Sequence, residues 1–283
     1  MRREGQSNLL RALLIVASIM ASVSEGVAEA GQVSVPSSLL GSPKLFWRSV
    51  MTSLYGPYDR KLKCWIGKDE RKAVYCMRPL KLDAVEAKSG KVVYLSMGGH
   101  ALGRDGAINY SGADGQGAIG LVVMSQQGKH LVTSSANSLY EVAGTGGLMV
   151  SGPREDSVSL RKIGKDSWAW FVESGMFYSG NGALIKTIET PIGDKVVSVG
   201  RIPSSMFQDG TAACKPQCPN LDADIIIDNQ NSAERFYPII VRIHDRVDAS
   251  RVEGTFHVPF NDGKLQYETP RELIELMRNP YTE

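Results

Sequence analysis

The chain has 283 residues, of which 42% are hydrophobic and 22% carry a charged side chain, and its formal net charge at pH 7 is +2. A chain of this length buries a sizeable core, in one large domain or two small ones. The near balance of charge argues against nucleic acid as the main partner, because binding to phosphates needs a concentrated basic face.

The first thirty residues have the pattern of a secretory signal peptide. Arg2, Arg3 and Arg11 form a basic leader, residues 12–23 are all apolar or small, and residues 28–30 (AEA) offer a small-residue cleavage site. The apolar run is shorter than the roughly 20 residues that span a bilayer. We therefore predict a cleaved signal peptide over residues 1–30, rather than the alternative of an uncleaved membrane anchor. The mature chain, residues 31–283, is then periplasmic or secreted.

The mature chain begins with a predicted short helix, followed by a predicted hairpin. Residues 44–55 place Leu45, Val50 and Leu54 near one stripe, and Gly56 and Pro57 end the pattern. The segments around residues 64–66 and 74–76 then have the composition of two strands that flank a charged turn.

The four cysteines are Cys64, Cys76, Cys214 and Cys218. In an exported protein an even number of cysteines indicates disulfides, and four cysteines allow three pairings. We favour a Cys64–Cys76 bond across the predicted hairpin and a Cys214–Cys218 bond that closes a tight loop. The cysteine spacings differ from the C-x₂-C pairs of zinc sites, so no metal site is predicted.

Most of the remaining chain alternates short apolar strands with turns, which is typical of an antiparallel sandwich or paired sandwiches. In one of these strands Ile239, Val241 and Ile243 share a face. The predicted strands cover residues 91–97, 118–124, 157–163, 168–173, 183–189, 196–202, 223–228, 236–243 and 254–260, and turns are predicted at residues 193–194 and, as a hairpin, at residues 261–263.

A second helix is predicted at the C-terminus, where it would cap the sheets. Thr269, Pro270 and Glu272 supply an N-cap, a first-turn proline and the glutamate of a capping box, and an apolar stripe follows over residues 273–277. We favour one β-rich domain over residues 31–283. A boundary in the Gly-rich residues 144–152 is the alternative, since it would divide the chain into two sandwich-sized parts.

The Gly-rich residues 98–120 are interpreted as a long polar loop, a type of segment that often carries binding or catalysis. Within it, residues 115–120 match G-x-G-x-x-G, but a strand follows instead of the helix that a dinucleotide site requires, so no cofactor is predicted. The competing interpretation is a surface loop without a site. The candidate binding residues in the loop are Arg104, Asn109, Tyr110 and Asp114.

If the protein is an enzyme, the candidate catalytic residues in the sequence are His100, Ser96 and Asp105. Ser96 lies at the end of a predicted strand, but the segment lacks the first glycine and the following helix of a nucleophile elbow. We therefore expect a binding or envelope-associated module without evident catalytic machinery, whose partner is a protein or a glycan. The alternatives are an exported hydrolase that uses loop 98–120, and a structural subunit of an extracytoplasmic assembly.

Overall fold

The computed structural model describes residues 32–87, 90–109, 117–142, 157–178, 181–208, 220–231, 233–246, 248 and 250–277. The predicted signal peptide, the predicted Cys214–Cys218 bond and the alternative domain boundary at residues 144–152 fall outside these residues. None of the helices in the described part of the chain is long and apolar enough to cross a membrane.

The protein is mainly β, as the sequence predicts. The helices are α1 (Pro43–Tyr55) and α2 (Arg271–Leu276), and a 3₁₀ turn (Ser37–Gly41) precedes α1. The strands are β1 (Ser34–Pro36), β2 (Tyr58–Asp59), β3 (Cys64–Lys68), β4 (Val74–Ala87), β5 (Gly90–Ala101), β6 (Gly117–Gln127), β7 (His130–Val142), β8 (Val158–Lys162), β9 (Trp168–Tyr178), β10 (Asn181–Ile192), β11 (Lys195–Gln208), β12 (Leu221–Ile227), β13 (Ile239–Asp245), β14 (Val252–Val258), β15 (Phe260–Asn261) and β16 (Gln266–Tyr267).

The strands form three packed layers. The first sheet has the order β2-β3-β4-β5-β6-β7, with β1 on the second edge of β7. The middle sheet is β8-β9-β10-β11, and the outer sheet is β12-β13-β14. Narrow junctions join the layers: one parallel pair, Lys195 with Ala136, links β11 to β7, and two pairs at Ser205 and Met206 link β11 to β12.

Three apolar cores hold the layers against one another. The first core lies between α1 and one face of the first sheet, where Phe46, Val50 and Met51 are fully buried. The second core, between the first and middle sheets, includes Tyr94 and Trp170. The third core fills the space between the middle and outer sheets, and α2 contributes to it. Apolar burial of this kind is the main favourable term in folding.

The predicted local elements are largely confirmed, with three exceptions. The first is β7, which the sequence does not predict. The second is the predicted capping box of α2: the Thr269 hydroxyl donates to the Arg201 carbonyl at 2.8 Å, and no side chain caps the helix. The third concerns residues 98–120: β5 continues to Ala101 and β6 begins at Gly117, so His100 belongs to a strand and is buried, not in a loop. Gly99 fits this strand because it has no side chain: a Cβ at this position would lie 2.3 Å from the sulfur of Met77.

The Cys64–Cys76 disulfide is confirmed, and both cysteines are buried. It joins β3 to β4 near one edge of the first sheet, with the two Cα atoms 5.4 Å apart. The predicted turn at residues 193–194 is also confirmed: Ile192 pairs with Lys195, and Gly193 has a φ of 64°, a conformation that glycine adopts without strain.

Candidate binding groove

An open, polar groove of about 720 Å³ lies where the middle sheet meets the outer sheet. Its volume falls within the range of small-molecule sites. Leu184, Ala223 and Phe207 supply apolar surface to it. Six charged or titratable side chains also line it: Glu173, Lys186, Asp222, Asp224, His244 and Arg246.

Strand register brings the groove residues together from five strands. Glu173 on β9 lies opposite Lys186 on β10, so the two side chains share a face of the middle sheet. At the junction with the outer sheet, Ser205 of β11 pairs with Asp222 of β12, which in turn pairs with His244 of β13. The groove is therefore a product of the β11–β12 junction.

The charged and titratable side chains of the groove lie in three pairs. Lys186 Nζ lies 3.6 Å from a carboxylate oxygen of Glu173. In the outer sheet, Arg246 Nε lies 3.7 Å from Asp222 Oδ2, and His244 Nδ1 lies 3.8 Å from Asp224 Oδ2. Within the described residues, no group of three or more His, Cys, Asp or Glu side chains is placed to hold a metal ion.

The Ser205, Asp222 and His244 row does not form a hydrolytic triad. The Ser205 hydroxyl donates a 2.6 Å hydrogen bond directly to Asp222 Oδ1. In a Ser-His-Asp triad the imidazole stands between the hydroxyl and the carboxylate, so that it accepts the serine proton. Here the carboxylate lies between the other two residues in register, and a carboxylate is a poor base for a serine hydroxyl. The arrangement suits hydrogen bonding to a ligand.

Phe207 gives the groove an aromatic surface. The guanidinium carbon of Arg246 lies 5.5 Å from the centre of the Phe207 ring, within the range of a cation–π contact. This contact and the ion pair with Asp222 together restrain the long Arg246 side chain, which reduces the conformational entropy that binding a ligand would cost.

The residues that the sequence singles out for catalysis lie away from this groove, on or beside β5. Ser96 and His100 are both buried on β5, four residues apart, so their Cα atoms are separated by about 13 Å at about 3.3 Å per residue. Asp105 lies in an exposed turn, where its carboxylate accepts a hydrogen bond from the Ala107 amide at 3.0 Å. The structure thus does not bring Ser96 within hydrogen-bonding reach of His100.

The candidate binding residues of the Gly-rich segment are only partly described. Arg104 is exposed in the turn that follows β5. The Asn109 amide donates a 3.0 Å hydrogen bond to the Ala101 carbonyl, so its backbone closes the turn. Tyr110 and Asp114 lie outside the described residues.

Sequence reasoning does not identify the groove residues, because each is an ordinary outward-facing strand residue when considered alone. The available signal is the spacing of Asp222 and Asp224, two carboxylates that a strand places on one face, followed by the same spacing of His244 and Arg246. Comparison of the chain with models of protein families, with curated proteins and with solved structures finds no match. A functional proposal therefore depends on the geometry of the groove.

Proposed function

We propose that the protein is an exported binding module, and that the groove between its middle and outer sheets holds an uncharged, hydroxyl-rich ligand of the glycan class. The observation that carries this proposal is that both cations of the groove, Lys186 and Arg246, lie within 4 Å of a carboxylate, while Asp224 lies beside His244. A charged ligand would have to compete with these pairs, whereas a neutral ligand leaves them intact.

Hydroxyl groups complement this pattern of donors and acceptors. A carboxylate only accepts hydrogen bonds, Lys and Arg side chains only donate them, and a hydroxyl does both. Ser205 already occupies such a position beside Asp222. A sugar hydroxyl beside the Asp222–Arg246 pair would donate to the first and accept from the second without separating them, while the Phe207 ring offers an apolar surface to a sugar face.

Export is supported by two independent observations. One is the signal-peptide pattern of residues 1–30. The other is the Cys64–Cys76 disulfide, because disulfides persist mainly in oxidising compartments outside the cytosol. Both agree with a periplasmic or secreted module, and with a ligand that belongs to the extracytoplasmic space.

Substitution of Asp222 by Asn tests the groove directly. The variant keeps the shape of the side chain but removes the charge that faces Arg246 and the strong acceptor of the Ser205 hydroxyl. Hydrogen bonds to charged groups contribute about 1.5–3 kcal/mol, so we expect at least about a tenfold loss of affinity. The measurement is binding to an array of neutral oligosaccharides of glucose, galactose, mannose or N-acetylglucosamine, followed by calorimetric titration with the best oligosaccharide.

The matched control is Asp83→Asn, in the first sheet. Asp83 is also partly exposed and paired with a lysine, Lys81, at 3.5 Å, but it lies outside the groove. The control should bind like the wild type, and thermal unfolding should show that both variants are folded. Binding restricted to uronic-acid or sulfated oligosaccharides on a second, parallel array, or no binding to any oligosaccharide, would contradict the proposal.

A further inference from the structure

A buried carboxyl group lies in the second core, between the first and middle sheets. Glu189 on β10 is only 4% exposed. It is opposite Trp170 on β9, a member of the second core, and is followed in register by Ser198 on β11, which is exposed. A glutamate in such a place is unusual, because burial of an ionised carboxylate without a cation is costly.

The polar atoms around Glu189 are incompletely paired. The Oη of Tyr140, which comes from β7 in the first sheet, and the Nε1 of Trp170 are both buried without a hydrogen-bond partner. Unsatisfied buried donors are rare in folded proteins and each destabilises the folded state. A polar cluster of Glu189, Tyr140 and Trp170 therefore lies across the boundary between two layers that are otherwise held together by apolar side chains.

The groups that face Glu189 offer it no positive charge. Tyr140 approaches from β7 and Ser198 from β11, and the Tyr94 ring of β5 packs against Trp170 with centroids 5.3 Å apart. Among the described residues, no Lys, Arg or His side chain forms an ion pair with Glu189. Burial raises the pKa of Glu189 to about 7, and the Ser198 side chain acts in the opposite direction. The negative charge of Glu189, together with burial, also raises the pKa of Tyr140.

We propose that Glu189 is a proton-dependent switch between the first and middle sheets: the layers pack closely while its carboxyl group is protonated, and they loosen when it ionises. Burial disfavours the charged form of a carboxyl group, and a buried carboxylate needs hydrogen-bond donors, water or a cation. Because Glu189 is only 4% exposed and neither Tyr140 Oη nor Trp170 Nε1 is hydrogen-bonded to it, separation of the layers would give its carboxylate access to water.

The way the layers are joined makes this separation feasible. The described pairing between β7 and β11 is the single pair of Ala136 with Lys195. The β10–β11 turn adds two bonds: the Ser135 hydroxyl donates to the Gly193 carbonyl at 2.7 Å, and the Ala136 amide donates to the Asp194 carbonyl at 2.9 Å. A short junction of this kind can act as a hinge without loss of the sheets on either side.

Hydrogen exchange of the protein at pH 6 and pH 8.5, corrected for the intrinsic exchange rate, tests the switch. If the carboxyl ionises near 4.5 in the open state and near 7 in the closed state, the opening equilibrium increases about tenfold between these two pH values. We expect that increase in peptides from β7 and β9, and little change in peptides from β12 and β13. Glu189→Gln, which cannot ionise, should abolish the increase.

Glu86→Gln is the matched control, because Glu86 on β4 is an exposed carboxylate paired with Lys91 at 3.6 Å, and it should keep the wild-type response. Equal protection of wild-type β7 and β9 at both pH values, or a pH response that persists in Glu189→Gln, would overturn the proposal.

If Glu189→Gln does not fold, a second measurement on the wild type tests the switch. The free energy of unfolding must fall between about pH 4.5 and 7 and then level off, because Glu189 ionises at lower pH in the unfolded chain than in the folded protein. A flat profile there would refute the switch.

Discussion

Substitution of both Cys64 and Cys76 by alanine is expected to lower the free energy of unfolding by about 3 kcal/mol. The bond joins residues 12 apart in sequence, and a crosslink over a loop of this size restricts the unfolded chain by about that amount. Both side chains are buried in the first sheet, so the truncation also removes some packing. Denaturation with urea under oxidising conditions measures the difference.

The two single variants provide the control for this prediction. A disulfide needs both sulfur atoms, so Cys64→Ala alone and Cys76→Ala alone should each lose nearly as much stability as the double variant. Losses that simply add, with the double variant about twice as destabilised as each single variant, would mean that the bond itself contributes little. The same variants bear on export, since a protein that depends on this bond folds poorly in a reducing compartment.

The layered β architecture was predictable because its signal is local. Alternation of Ile239, Val241 and Ile243 places three apolar side chains on one face of a strand, and all three are fully buried in the third core. The cysteine spacing around a charged turn was similarly sufficient to choose the Cys64–Cys76 pair.

Strand β7 was not predictable in this way. Its middle contains Thr133, Ser135 and Asn137, a polar stretch without apolar alternation. It forms a strand because β6 pairs along one of its edges, while β1 and the start of β11 pair along the other. Pairing with neighbours outweighs weak intrinsic preference in sheets, and such pairing is absent from a local reading of the sequence.

The groove and the buried cluster were missed for a related reason. A charged residue in an alternating strand is normally assigned to the solvent face, and that assignment is correct for Glu173 but wrong for Glu189. The difference arises because Glu173 lines the open groove, whereas Glu189 lies beside Trp170 on the face of the middle sheet that the first sheet covers. Only knowledge of the layer order separates a solvated glutamate from a buried one.

Substitution of Gly164 by alanine is expected to destabilise the protein by about 3 kcal/mol, because no space exists for a side chain there. A Cβ at this position would lie 1.7 Å from the carbonyl oxygen of Arg235. Two backbone hydrogen bonds hold the segments together on either side: Lys165 N donates to the Glu234 carbonyl at 2.9 Å, and Tyr237 N donates to the Ile163 carbonyl at 2.6 Å.

Relief of this collision requires the two segments to separate, and both supply buried residues to the third core, Ile163 from one and Phe236 from the other. Gly41→Ala is the matched control, since a Cβ at Gly41 meets nothing within 4 Å and its φ is not positive. Urea denaturation should show the control close to the wild type and Gly164→Ala far below it. Equal stability of the two variants would mean that the segment before β9 and the segment before β13 do not pack as described. The third core, against which Ala223 of the groove packs, would then need a different arrangement.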